Sequence, residues 1–263
     1  KILTSWNGLF ISALSKGYRA LGEARYLDAA RRAADFLLVR MYRAEGARLL
    51  RRFCDGDAAI DAFLDDYAFL AQALLDLFEA TSEARYLEVA RNLAVDGLAR
   101  FEDREEGGFF STEQNAGDLL LRIKDDYDGA EPSGNSVATD VLLRLAHLTG
   151  EEAPREKAMR SLHSFAPKIK AQPTMAPQML VALGRSLTAP EQIVLRCADA
   201  ECRDLFQRES RAFSANTVVL GLSDAAARAL IPFAPFLGGL ERKGKISIYR
   251  CRNFTCELPE IVE

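Results

Sequence analysis

Glu23-Ala24-Arg25-Tyr26-Leu27 reappears as Glu83-Ala84-Arg85-Tyr86-Leu87, and Ala30-Arg31 returns as Ala90-Arg91, each displaced by 60 residues. In both copies an apolar segment of helical spacing precedes the repeated words: Leu9/Phe10, Ala13/Leu14, Gly17/Tyr18 and Leu21 in the first, Phe63 to about Thr81 in the second. A second helical pattern follows each, from about Tyr26 to Met41 and from Tyr86 to about Phe101. A third pair is expected at Ser136–Thr149 and Arg155 to about Phe165, and one more helix at Thr174–Leu187. Inner helix, tight turn, outer helix, repeated, is the mark of an α/α-hairpin array. An open solenoid and a closed toroid are the two arrangements of such an array, and long connections favour the toroid.

Those connections are Arg43–Phe63, in which Arg43–Ile60 reads as a hairpin-like excursion, and Arg100–Ser133. In a toroid they gather where the inner helices begin. Trp6-Asn7, Asp65-Asp66-Tyr67 and Asp125 to Asn135 occupy that place in their repeats, and Lys1–Gly8 reads as a polar loop. The third stretch sets four carboxylates among Asp125–Glu131 ahead of Pro132-Ser133-Gly134-Asn135, a loop feeding a helix N-terminus. Its side chains suit either a polar pocket floor or a solvated helix cap.

From Glu191 the texture changes. Ile193–Leu195, Thr217–Leu220 and Ile246–Tyr249 read as strands, Cys202–Phe213 and Ala225–Ile231 as helices, a βαβ-type appendage. The expected organisation is therefore mostly α: an incomplete (α/α)6 toroid portion over 1–187 and a small C-terminal α/β subdomain over 188–263, divided near Pro190. With 34 basic and 38 acidic residues the net charge is −4, too mild to point to nucleic acid or an anionic membrane. No apolar run approaches the roughly 18 residues of a membrane span. Five cysteines make no disulfide scaffold, and a reducing cytoplasm fits them best. The chain opens at Lys1, inside what reads as a motif, so a fragment of a longer protein is expected, with an apolar face exposed where hairpins are missing and dimerisation through it.

Four motifs occur in order: Lys1-Ile2-Leu3-Thr4-Ser5-Trp6-Asn7-Gly8, Phe63-Leu64-Asp65-Asp66-Tyr67-Ala68, Tyr127-Asp128-Gly129-Ala130 with Pro132-Ser133-Gly134-Asn135-Ser136, and Cys251 through Asn253-Phe254-Thr255-Cys256. Together they resemble the spermatogenesis-associated protein 20 family. The resemblance implies an N-terminal thioredoxin-like domain, absent from this chain, and a toroid like those of N-acylglucosamine 2-epimerases and six-hairpin glycosidases. It implies a fold and an analogy to sugar binding, not a reaction.

Epimerases of that fold use paired histidines. Here His147 lies late in an inner helix and His163 in an outer one, which disfavours epimerisation. Glycoside cleavage needs an acid and a base or nucleophile on opposite sides of the bond. Asp66 from one repeat and Asp128 or Asp126 from another are the expected catalytic carboxylates, since crowded like charges raise a pKa. Trp6 and Tyr67 are candidates to stack on a sugar ring, and Asn7, Tyr127, Ser133 and Asn135 to bind it. The alternative is a non-catalytic scaffold that presents the thioredoxin-like domain to clients. An apolar-filled cleft would mark the scaffold, and an open one lined by carboxylates the enzyme.

Cys197/Cys202 and Cys251/Cys256 lack the short spacing and nearby histidines of a zinc site, so no metal is expected. Reduced, buried thiols are expected instead, with Cys251 and Cys256 the candidate redox pair. Gly107-Gly108 has no following Lys-Ser/Thr and is not a phosphate loop, and no cofactor is expected.

Overall fold

A computed structural model describes residues 1–114, 121–198, 202–212 and 216–263. Three helical hairpins and a single further helix make up its first part: α1 (Thr4–Leu21) with α2 (Ala24–Arg40), α3 (Leu64–Thr81) with α4 (Ala84–Asn92), α5 (Gly134–Thr149) with α6 (Glu152–Ala171), then α7 (Pro177–Ser186). Helices α1, α3, α5 and α7 lie side by side as an inner layer, each neighbour packed on the next, with α2, α4 and α6 outside. Helices α3 and α5 are buried almost throughout, with apolar residues on most sides and a polar row on one.

The repeated words have a physical role. Each turn closes on a left-handed residue, Gly22, Ser82 or Gly150, whose amide returns to a carbonyl of the inner helix. Thr81 and Thr149 then accept from the amides of Glu83 and Glu151, both at 3.2 Å. Those carboxylates in turn take Arg31 and Arg91 from the preceding outer helix, at 2.6 and 2.7 Å. Each hairpin is thereby latched to the next.

The expected polar loop over Lys1–Gly8 is corrected. Ile2–Leu3 is a short strand, β1, and α1 is already helical at Thr4. Strand β1 pairs with β3 (Arg48–Cys54), which also takes β2 (Tyr42–Arg43) and β4 (Asp57–Asp61). The β3–β4 turn at Asp55-Gly56 has both φ angles positive, the geometry that suits a two-residue hairpin. Gly8 lies within α1 because a Cβ there would come within 2.8 Å of the Phe69 carbonyl on α3.

Helix α4 is shorter than expected. Past Asn92 the chain widens into a π turn over Leu93–Gly97 and tightens over Leu98–Arg100, where the Tyr67 ring fills the space beside Gly97. Helix α6 is longer than its apolar pattern suggests, and α7 starts at Pro177, after a short turn over Pro173–Met175.

The C-terminal segment holds β5 (Glu191–Cys197), α8 (Arg203–Arg211), β6 (Thr217–Leu222), α9 (Asp224–Leu230), β7 (Ile246–Arg252), β8 (Thr255–Cys256) and β9 (Glu260–Val262). Strands β5 and β6 are parallel across α8, the expected βαβ unit, and β7 is antiparallel to β5. The expected helix end at Phe213 lies outside the described residues. Alternate residues face opposite sides of the sheet: Val194 and Leu220 join the helical core, whereas Leu195 and Val219 pack with Phe206 of α8. Gln192 reaches the His147 carbonyl of α5 at 2.9 Å, so sheet and helices are joined by polar as well as apolar contact.

The expectation of reduced thiols is overturned: Cys197–Cys202 and Cys251–Cys256 are disulfides, and Cys54 is free. Cys251 and Cys256 are direct cross-strand partners, because Asn253 and Phe254 both take positive φ and turn the chain in two residues. Cys197 ends β5 and Cys202 precedes α8, with their Cα atoms 5.9 Å apart.

No helix among the described residues is long and apolar enough to cross a membrane, and they contain no cluster of potential metal ligands.

Candidate functional site

Asp66 lies at the start of α3 and Asp128 at the starts of α5 and α7, each with its own set of partners. Asp66 is fully buried. Its Oδ1 accepts from the Ser5 amide of α1 at 2.9 Å, and its Oδ2 from the Phe63 amide at 3.0 Å and Arg51 at 2.8 Å. Burial, then the charge of adjacent Asp65, push its pKa up to about 6. Asp128 accepts from the Ser133 amide at 2.8 Å and, through its other oxygen, from the Gln178 amide at 2.8 Å. It therefore joins the starts of α5 and α7. Ser133 caps α5 by accepting from the Ser136 amide, and Asn135 pins Phe109 and Asp125 by its amide group. Asn7 donates to the Leu3 carbonyl, and the buried Tyr67 hydroxyl accepts from the Leu49 amide. Asp126 pairs with Lys168, while Trp6, 62% exposed, and Tyr127 face solvent.

These groups are thus engaged largely with backbone, and neither Asp66 nor Asp128 lines the polar cleft along the inner helices. That cleft, about 430 Å³, runs along the inner layer and is bounded on one side by Arg211, Asn216 and Val218 of the C-terminal segment. Its polar wall is built by the repeat. Ser12, Lys16 and Arg19 of α1 stand 60 residues before Gln72, Asp76 and Glu79 of α3. These in turn stand 68 before Asp140, Arg144 and His147 of α5. Positions i, i+4 and i+7 share one helix face, so three inner helices present three rows to one space.

Arg144 is at the centre, 2.7 Å from both Asp76 and Glu79. Ser12 and Lys16 also hold Asp76, and Arg19 holds Glu79. Burial alone would raise both carboxyls, but Arg144, aided by Lys16 and Arg19, brings them below their ordinary values. Burial works against the Arg144 charge too, and the two carboxylates outweigh it. Asp140 pairs with Arg185 of α7 at 2.7 Å. Beside them, burial and then the Arg185 charge push His147 down to about 4, leaving the imidazole neutral at pH 7. Its Nδ1 is buried without a hydrogen-bond partner, as is Arg19 Nε. Among the described lining residues, five cations (Lys16, Arg19, Arg144, Arg185 and Arg211) face three carboxylates (Asp76, Glu79 and Asp140).

Sequence reasoning set His147 aside and passed over the rest of this cluster. The signal was present: charges in the middle of apolar helices, recurring at the repeat offsets.

No family model matches the chain. Spermatogenesis-associated protein 20 of Homo sapiens is 34% identical over 272 residues, covering 98% of this chain and 34% of that protein. The chain is homologous to spermatogenesis-associated protein 20. The Rattus norvegicus protein matches at the same identity and coverage, and an uncharacterized protein of Caenorhabditis elegans at 32% identity over 98% of this chain and 36% of its own. The chain spans about a third of the length of these curated relatives. Among solved structures, cellobiose 2-epimerase of Bacillus thermoamylovorans superposes over 97% of this chain and 66% of that chain, with TM-score 0.55 and 12% identity. A GH76 alpha-mannanase of Bacteroides thetaiotaomicron matches over 64% and 46%, with TM-score 0.52 and 18% identity. The helical hairpins have the fold of part of a glycosidase-like α/α toroid.

Proposed function

We propose that this spermatogenesis-associated protein 20 homologue holds a sugar-sized ligand in the cleft between α1, α3, α5 and α7, as part of a carbohydrate-active protein. The supporting observation is the cleft itself: open, and lined by carboxylates and cations together with apolar side chains. Its volume falls within the range of small-molecule sites. The names of the similar structures, an alpha-mannanase, a family 105 glycoside hydrolase and a cellobiose 2-epimerase, agree in substrate class.

The finer form of this proposal is glycoside hydrolysis. Asp76 and Glu79 are poor acids for it, since Arg144 keeps both ionised. An Asp66–Asp128 pair would have to release the amides that now bind it. That engagement is the observation in favour of the second reading, a non-catalytic module attached to a thioredoxin-like domain.

A glycan and sugar-phosphate binding screen, followed by turnover assays on any hit, tests both. Binding lost in Gln72→Leu and Asp140→Asn with the fold intact supports the cleft. Turnover abolished by Asp66→Asn or Asp128→Asn at unchanged melting temperature would return the chemistry to the mouth. Absence of any sugar binding would favour the scaffold.

A further inference from the structure

We infer that the cleft selects an anionic sugar, carrying a carboxylate or a phosphate, whose oxyanion is met by Arg19 and His147 with Lys16 at the rim. The inference rests on the proposal that the cleft is a sugar site, and it adds the charge of the ligand.

The first ground is electrostatic. The chain carries −4 overall, yet the cleft has five cations against three carboxylates. A cleft with a net positive lining within low-dielectric walls favours a ligand of the opposite sign. The acidic groups cancel part of that charge through their ion pairs, and a positive excess remains. Asp76 is held by Arg144, Ser12 and Lys16, Glu79 by Arg144 and Arg19, and Asp140 by Arg185.

The second ground is an unmet demand for hydrogen bonds. His147 is only 7% exposed and lines the cleft, and its Nδ1 has no partner. Arg19 spends Nη1 on Glu79 and leaves Nε buried and unpaired. Buried polar atoms without partners are costly and uncommon, and two on one cleft wall mark where a ligand oxygen completes the set. With the proton on Nδ1, the neutral imidazole donates. Arg19 Nε donates as well, and Lys16, its side chain 58% exposed, adds its charge at the rim. Donors and positive charge suit an oxyanion, whereas Val181 and Val218 offer apolar surface to the C–H face of a sugar ring.

Isothermal titration of this chain with glucose, glucuronate, glucose 6-phosphate and inorganic phosphate, at low and at high salt, tests the inference. One charged sugar should bind at least about tenfold more tightly than glucose, and the advantage should shrink as salt screens it. The glucuronate and glucose 6-phosphate arms distinguish carboxylate from phosphate. Lys16→Glu should erase most of that advantage. Arg211→Glu is the second variant, should the first perturb folding. Glucose binding as tightly as both charged sugars would overturn the anionic ligand and leave the sugar site standing. Inorganic phosphate matching glucose 6-phosphate, with no gain from the sugar, would overturn the sugar component. Failure of all four ligands to bind would remove both the inference and the proposal beneath it.

Discussion

Arg144 carries the largest electrostatic burden of any single side chain in the cleft, since two buried carboxylates share its guanidinium. A buried pair contributes little net stability over an apolar replacement of the whole group, but breaking it leaves uncompensated charge. Arg144→Leu should therefore cost about 3–5 kcal/mol in urea unfolding, and a loss below 1 kcal/mol would show that Lys16 and Arg19 suffice. His147 gives a pH signature. Its folded pKa, about 4, lies below the ordinary 6.5, so the folded state resists protonation that the unfolded chain accepts. Stability from this group is present above pH 6.5 and lost as pH falls toward 4. Relative to His147→Gln, the wild type should lose about 1–2 kcal/mol between pH 7 and pH 5. Parallel unfolding curves at the two pH values would refute the burial of a neutral imidazole. Asp66 has the opposite sign, so the comparison with the variant isolates the histidine.

At the scale of elements, close approach of α1 and α3 depends on Gly8. A methyl group there would lie 2.8 Å from Phe69 backbone atoms, which cannot rotate away. Gly8→Ala should thus cost about 1–3 kcal/mol by forcing the helices apart, despite alanine's better helix propensity. A neutral or stabilising effect in thermal melts would mean that the two helices are not held this closely. Asp128 is likewise an element-scale device, since one side chain satisfies amides at the starts of both α5 and α7. Asp128→Ala should cost about 1–3 kcal/mol through orphaned donors. Preserved stability would free Asp128 for chemistry.

For the whole molecule, the central fact is a core continuous from the inner helices into one face of the C-terminal sheet. Val194, Leu220 and Tyr249 belong to the same cluster as Leu70 and Leu142. Residues 1–187 and 188–263 should therefore unfold together, in one calorimetric transition whose calorimetric and van't Hoff enthalpies agree. Two resolved transitions would show the segments to be independently stable. The polar cleft is a product of the same union, because the C-terminal segment supplies one of its walls.

Hairpin periodicity, the repeated Glu-Ala-Arg-Tyr-Leu words and the βαβ pattern were all readable in the sequence, because i, i+4 spacing and alternation are local consequences of helix and strand geometry. The placement of Asp66, Asp128 and Asn135 at inner-helix starts was readable as well, since equivalent places in a repeat arrive at the same end of the array. What those side chains touch was not. Whether a carboxylate meets a backbone amide or empty space depends on where another helix starts, and only tertiary structure brings Ser5 to Asp66 or Gln178 to Asp128. The cysteine pairing needed a turn whose Asn253 and Phe254 adopt a left-handed conformation that residue type does not dictate. The cleft was decided last of all. Its charges stand far apart along the chain, and they become one site only when three inner helices align their faces and the sheet closes the side.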